Sequence, residues 1–154
     1  MKYFYDTEFL EDGKTIQLIS IGIVADDGRE YYAHVDGYDE DAAWGHEFVG
    51  REVMPHLATV TKTPRNQVAQ EISEFMLPDS RPDLWGFFSS YDHVLLAQLY
   101  GTMLDLPAHF PMRTNDIAQL AQHQNIYALP HNPNAHNALA DAHWTRNTYH
   151  WLTT

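Results

Sequence analysis

Cysteine is absent from the 154 residues, which excludes a disulfide framework, thiolate catalysis and any zinc site built on cysteine. No apolar stretch approaches the ~20 residues of a membrane-spanning helix. The start, Met1-Lys2-Tyr3-Phe4-Tyr5-Asp6, meets charge too early to hold a signal-peptide core. A cytoplasmic protein without a membrane partner is therefore expected. Internal repeats, low-complexity tracts and linker-like stretches are also missing, so residues 1–154 are expected to form a single domain. Basic residues are scarce: nine Lys and Arg face 21 Asp and Glu, giving a formal net charge of −12. Only Lys62 and Arg65 lie close together, which excludes a long basic track for a polyanion.

What is present is a set of short acidic motifs in order. Asp6 and Glu8 lie in Tyr5-Asp6-Thr7-Glu8-Phe9, Asp92 in Tyr91-Asp92-His93, and Asp141 five residues after His136 in His136-Asn137-Ala138-Leu139-Ala140-Asp141. Hard divalent cations such as Mg²⁺ prefer oxygen ligands. Two of them about 3.5–4 Å apart clamp the attacking and leaving oxygens of an in-line displacement at phosphorus. Four carboxylates from separate elements, with one histidine beside them, are the donor set of such a phosphodiester hydrolase. Two bound Mg²⁺ or Mn²⁺ would offset the four acids locally. The charge balance then fits a pocket for a few nucleotides at a strand end.

The pattern along the chain supports this. Residues 2–9 are aromatic-rich, 16–25 are rich in β-branched residues, and 30–35 follow an Asp26-Asp27-Gly28 turn signal. They read as an antiparallel meander, in which period-2 geometry puts Asp6 and Glu8 on one face. Asp36–Asp41 reads as a solvated acidic loop. Thr63-Pro64 opens a helix with Val68, Ile72, Phe75 and Met76 on its apolar stripe. Residues 84–88 read as a buried strand, followed by helices over about 92–100, 116–124 and 137–151, the second with Ile117, Leu120 and Ala121 inward. The result is an α/β domain with a mixed sheet.

Each candidate has a plainer role to set against it. Two acids on a strand can face water, but this strand is aromatic on both sides, and buried acids need partners. Asp92 also reads as an N-cap of its helix, a role compatible with reaching a metal. His136 and Asp141 stand about 140° apart on an ideal helix, so His136 must act from the helix start, with residues 129–134 supplying slack. The ten histidines suggest zinc, but His93, His131, His136 and His143 lack the His-Glu-x-x-His spacing of metalloprotease helices. Trp85, Phe87, Phe88 and Tyr91 read as core. Phe9 and Leu10 are the better candidates to wedge against a terminal base. Thr7 and Tyr91, next to proposed ligands, complete the substrate-contact candidates.

Together these motifs resemble the DEDDh 3′–5′ exonucleases of the ribonuclease H-like superfamily, over residues 6 to 141. The surrounding text, including Leu18-Ile19-Ser20-Ile21-Gly22-Ile23-Val24 and His136 to Ala142, resembles a compact group of bacterial and phage exoribonucleases. The resemblance implies a ribonuclease H-like fold with a five-stranded mixed sheet, its first three strands antiparallel, flanked by helices. It also implies Mg²⁺- or Mn²⁺-dependent digestion of single-stranded RNA 3′ ends, including poly(A), and a homodimer. By motif, Asp6, Glu8 and Asp141 would hold the catalytic metal, with Asp6 bridging to a second. Asp92 would support that second metal, and His136 would be the general base. Two positions depart from the pattern: Phe88 stands where many relatives have Asn, and Phe9-Leu10-Glu11 replaces a Thr-Gly type turn. Both bear on the terminal-nucleotide pocket. The rival readings are a proofreading-type DNA exonuclease and a silent nucleic-acid-binding module, the latter disfavoured because all five residues are kept.

Overall fold

A computed structural model describes residues 1–76 and 81–154 of the chain. Strands β1 (Lys2–Glu11), β2 (Ile16–Ala25) and β3 (Glu30–Val35) form the expected antiparallel meander. Gly28, at φ +93°, closes the β2–β3 turn in the left-handed region that glycine adopts without strain. The sheet continues through β4 (Lys62–Thr63), β5 (Asp83–Gly86) and β6 (Asn115–Asp116) in the order β4-β3-β2-β1-β5-β6. The joins β3–β4, β1–β5 and β5–β6 are parallel. The sheet is mixed as expected, with six strands among the described residues rather than five. The two short strands, β4 and β6, have two residues each, too few for any periodicity to reveal.

Alternation along β1 separates the two faces. Tyr3 and Tyr5 join Ile21 and Ile23 in a core with Val68, Ile72 and Met76 of α3 (Arg65–Met76) and Leu95 and Leu96 of α4 (Ser90–Gln98). The opposite face carries Phe4, Asp6, Glu8 and Leu10, and α6 (Ala138–Thr153) packs across it, with Phe4 5.4 Å from Tyr149 between ring centroids. Farther along, Leu10 and Ile19 pack with Val49, Val53, Met54 and Leu57. These come from a π-helical turn (Val49–Val53) and α2 (Met54–Leu57). Ile19 reaches that face because the β1–β2 register slips between Glu8 and Phe9. An extra residue in one strand resets its side-chain alternation.

Two helix starts differ from expectation. The acidic run 36–41 is only partly a loop: Asp39 caps α1 (Glu40–Gly45), accepting the Ala42 N–H at 2.9 Å, and Glu40 and Asp41 fill its first turn. Acids there complement the helix dipole, so charge that reads as solvated is serving a short helix. Helix α4 begins at Ser90, which puts Asp92 inside the first turn and leaves the cap position to Ser89. Helix α5 (Ile117–His123) is capped by Asp116, which accepts the Ala118 N–H at 2.8 Å and, through its other oxygen, the Ser89 N–H at 2.9 Å. Its Ile117 and Ala121 are buried as expected and Leu120 packs beside them. Among the described residues no helix is long and apolar enough to cross a membrane.

Candidate active site

Asp6 and Glu8 project from β1 toward the start of α6. What lets the helix come so close is Gly22, the β2 neighbour of Asp6. A Cβ at that position would overlap the Ala138 carbonyl and the Leu139 amide. Asn137 caps α6 by accepting the Ala140 N–H at 3.0 Å. Ala138 and Ala142 lie fully buried below it. Asp141, one turn in, then meets Asp6 and Glu8, and the three carboxylates offer oxygens within 4.8 Å of one another. Among the described residues this is the one such group, and it contains no histidine. The zinc alternative thus finds no support in His131 or His143; His143 instead pairs with Glu30 at 2.8 Å.

The three acids sit in a cleft of about 410 Å³ whose walls include Phe9, Phe87, Phe88, Leu129 and Trp144, with no lysine or arginine in its lining. The electrostatic consequence is plain. Burial, then the charges of Asp92, Glu8 and Asp141, push the Asp6 carboxyl well above its ordinary range. Burial, followed by Asp141 and Asp92, raises Glu8 from 4.5 to about 8. Asp141 is also raised by burial, though the His136 N–H and the Asn132 amide pull it back. Acids crowded in a low-dielectric cleft disfavour their own charged forms. An all-oxygen donor set with excess negative charge and no lysine or arginine in its lining suits a hard divalent cation.

Asp92 lines the same cleft but lies outside that triad. Its Oδ1 accepts the Thr7 N–H at 2.9 Å and the Thr7 hydroxyl, which fixes α4 to the middle of β1. Burial raises Asp92 from 3.8 to about 6, the Thr7 bonds opposing the rise. Thr7 lines the cleft too, but it is 5% exposed and its hydroxyl donates to Asp92, so that it braces this acid.

His136 reaches the cleft from the residue before the α6 cap, in the left-handed region at φ +72°. Its N–H donates to Asp141 Oδ2 at 2.8 Å, and its ring meets the Phe48 ring edge-on at 4.8 Å. The preceding loop is fastened rather than slack. The Asn132 amide donates to Asp141 Oδ1, and Trp144 Nε1 donates to the Pro130 carbonyl at 3.0 Å. Asn132, Gly22 and Phe48 were not visible as site residues in the sequence. Gly22 had a signal, since a lone glycine inside a strand marks close backbone approach; the other two had none.

The remaining substrate-contact candidates divide. Phe9 lines the cleft, half-buried. Leu10 does not: it is 7% exposed in the core under the π-helical turn, because alternation turns it to the α6 face beyond the point where the helix leaves space. Tyr91 is outside the lining too and packs edge-on against Phe9 at 5.6 Å. Phe88, read as core, is instead 72% exposed, at φ +52°. The β5 strand ends at Gly86, two residues earlier than expected, and the turn into α4 swings the ring outward.

The chain matches known proteins over most of its length. The model of a family described as "3′–5′ exoribonuclease Rv2179c-like domain" matches residues 1–153. Two Mycobacterium tuberculosis proteins are each 43% identical to it over 148 residues, 92% of this chain and 87% of theirs. They are named 3′–5′ exoribonuclease Rv2179c, in strain H37Rv, and 3′–5′ exoribonuclease MT2234.1, in strain CDC 1551.

Proposed function

The chain belongs to the Rv2179c-like 3′–5′ exoribonuclease domain family, and from that premise we propose a divalent-metal-dependent 3′–5′ exoribonuclease of the DEDDh type and ribonuclease H-like fold. It removes nucleoside 5′-monophosphates from single-stranded RNA 3′ ends, poly(A) among them. The observation that carries this reading is the convergence of Asp6, Glu8 and Asp141 within 4.8 Å in a cleft with no lysine or arginine in its lining.

Asp6, Glu8 and Asp141 would hold the catalytic Mg²⁺ or Mn²⁺, and Asp6 with Asp92 a second. Cations held by these residues would supply acidification of a water and stabilisation of charge on the leaving oxygen. His136 takes the proton of the attacking water as its oxygen bonds to the terminal phosphorus. The bond from phosphorus to the 3′-oxygen breaks and that oxygen takes a proton from solvent water, leaving a 3′-hydroxyl on the shortened strand and a 5′-monophosphate in the cleft. Phe9 offers an apolar face to the terminal base. Asn132 and the His136 N–H hold Asp141 in its rotamer, and Thr7 does the same for Asp92.

RNA and DNA oligomers labelled at the 3′ or the 5′ end, digested with Mg²⁺, Mn²⁺ or EDTA, test polarity, sugar choice and metal dependence together. The 5′-labelled RNA should shorten stepwise, the 3′ label should appear as mononucleotide at once, and EDTA should stop both. Digestion of DNA at an equal rate would favour the proofreading-type alternative. A homodimer and a cytoplasmic location belong to the same proposal; sedimentation at micromolar concentration tests the first.

A further inference from the structure

The cleft does not end at the carboxylates. Phe87, Phe88 and Leu129 line both it and a second hollow of about 400 Å³ that runs over α5 to Ile126 and Tyr127. Phe88 is 72% exposed and Tyr127 83%. Backbone geometry holds both rings out. Phe88 stands at φ +52°, where any side chain with a Cβ is disfavoured. Asn125, at φ +60°, ends α5. There the Ile126 N–H returns to the Ala121 carbonyl at 2.9 Å and the Asn125 N–H to that of Gln122 at 3.0 Å, the paired bonds of a Schellman motif. Ile126 packs against the cluster of Ile117, Ala121 and Leu152, so Tyr127 projects from an anchored base.

The rings form a series. Trp144, in the catalytic cleft, meets Phe87 at 5.0 Å between centroids, and Phe87 meets Phe88 at 4.3 Å. Burying Phe88 and Tyr127 would be favourable, and a left-handed phenylalanine carries a further cost. Stability alone explains neither. No lysine or arginine lines either hollow, so phosphate is not what this surface grips. It offers flat apolar faces, and every nucleobase has one to match.

We propose that Phe87, Phe88 and Tyr127 form an upstream subsite that stacks the bases of single-stranded RNA from the third nucleotide inward, beyond the two that flank the last phosphodiester. The proposal rests on the cleft being a 3′-exonuclease site: a strand whose last phosphodiester lies at Asp6, Glu8 and Asp141 must leave the cleft, and this hollow adjoins it across Phe87, Phe88 and Leu129. Stacking also supplies a grip that a chain of net charge −12 otherwise lacks.

The test compares kcat/KM on a dinucleotide and on an eight-nucleotide RNA for the wild type, Phe88→Asn and Tyr127→Ala. Stacking on an aromatic ring corresponds to about 5- to 150-fold in affinity per base. Each variant should lose about fivefold or more on the octamer relative to the dinucleotide, chiefly through KM. Asparagine tolerates the left-handed region, so Phe88→Asn should keep its melting temperature, and Tyr127→Phe should keep the wild-type ratio. In a His136→Ala background, 2-aminopurine at the third base from the 3′ end should be quenched on binding, and Tyr127→Ala should weaken that quenching. Equal losses on both RNAs, or an unchanged octamer-to-dinucleotide ratio, would overturn the subsite. A wild type without 3′–5′ activity on any RNA would instead overturn the exonuclease reading beneath it.

Discussion

At the scale of single residues, the acidic triad trades stability for a site. Asp6 has Glu8, Asp92 and Asp141 as charged neighbours and is raised by all three. Asp6→Asn should therefore abolish RNA digestion yet raise the melting temperature in EDTA, because one like charge leaves a buried cluster. Thermal melts and the labelled-RNA assay on one preparation check both halves, and an active Asp6→Asn enzyme would remove Asp6 from the metal site. His136→Ala separates proton transfer from metal binding. It should lose about 10²–10⁴ in rate while Mg²⁺ still raises its melting temperature as it does for the wild type. A variant that keeps its rate would make His136 a bystander.

At the scale of elements, the site depends on how closely α6 lies on β1 and β2. Gly22 is the contact that permits this, and no rotamer relieves a clash between a Cβ and backbone. Gly22→Ala should displace the start of α6 and with it Asp141. The expected cost is about 1–3 kcal/mol, as for overpacking elsewhere, accompanied by a larger proportional loss of activity than of stability. Denaturant melts with parallel rate measurements would show it; full activity at unchanged stability would mean that the helix does not rest on Gly22.

At the scale of the whole molecule, charge sets the response to pH and salt. Glu8 rises from 4.5 to about 8 in the folded protein and Asp92 from 3.8 to about 6. Between those limits the folded state holds protons that the unfolded chain has released, so stability falls as pH rises from about 4 to about 8. The lowered carboxylates, among them Asp12, Asp27 and Glu40, are exposed and act in the opposite sense at lower pH. In EDTA the melting temperature should thus drop between about pH 5 and pH 8, and Mg²⁺ should restore it most at the alkaline end. A melting temperature that climbs across that range without metal would contradict the buried cluster. Salt reports on the other face of the same balance. Each phosphate neutralised on a single strand contributes about −0.7 to the slope of log affinity against log salt, so two or three phosphates give about −2 or shallower. Binding of His136→Ala to RNA across a salt series at fixed Mg²⁺ would show whether the slope is steeper.

By itself the sequence determined the strand meander, the helical stripes and the chemistry of the acids. These depend on local periodicity and on residue type: Asp6 and Glu8 share a face because a strand alternates, and α3 forms because Val68, Ile72 and Met76 recur at helical spacing. Turn chemistry placed the β2–β3 hairpin for the same reason. Tertiary structure alone decided what converges. Asn132 reaches Asp141 only because the loop folds back on α6, and Thr7 holds Asp92 across 85 positions of chain. Leu10 is buried because π-helical and α2 side chains cover it, while Phe88 is exposed because the backbone after Gly86 turns left-handed. Such contacts depend on the paths of distant segments, and no local pattern in the sequence encodes where those paths meet.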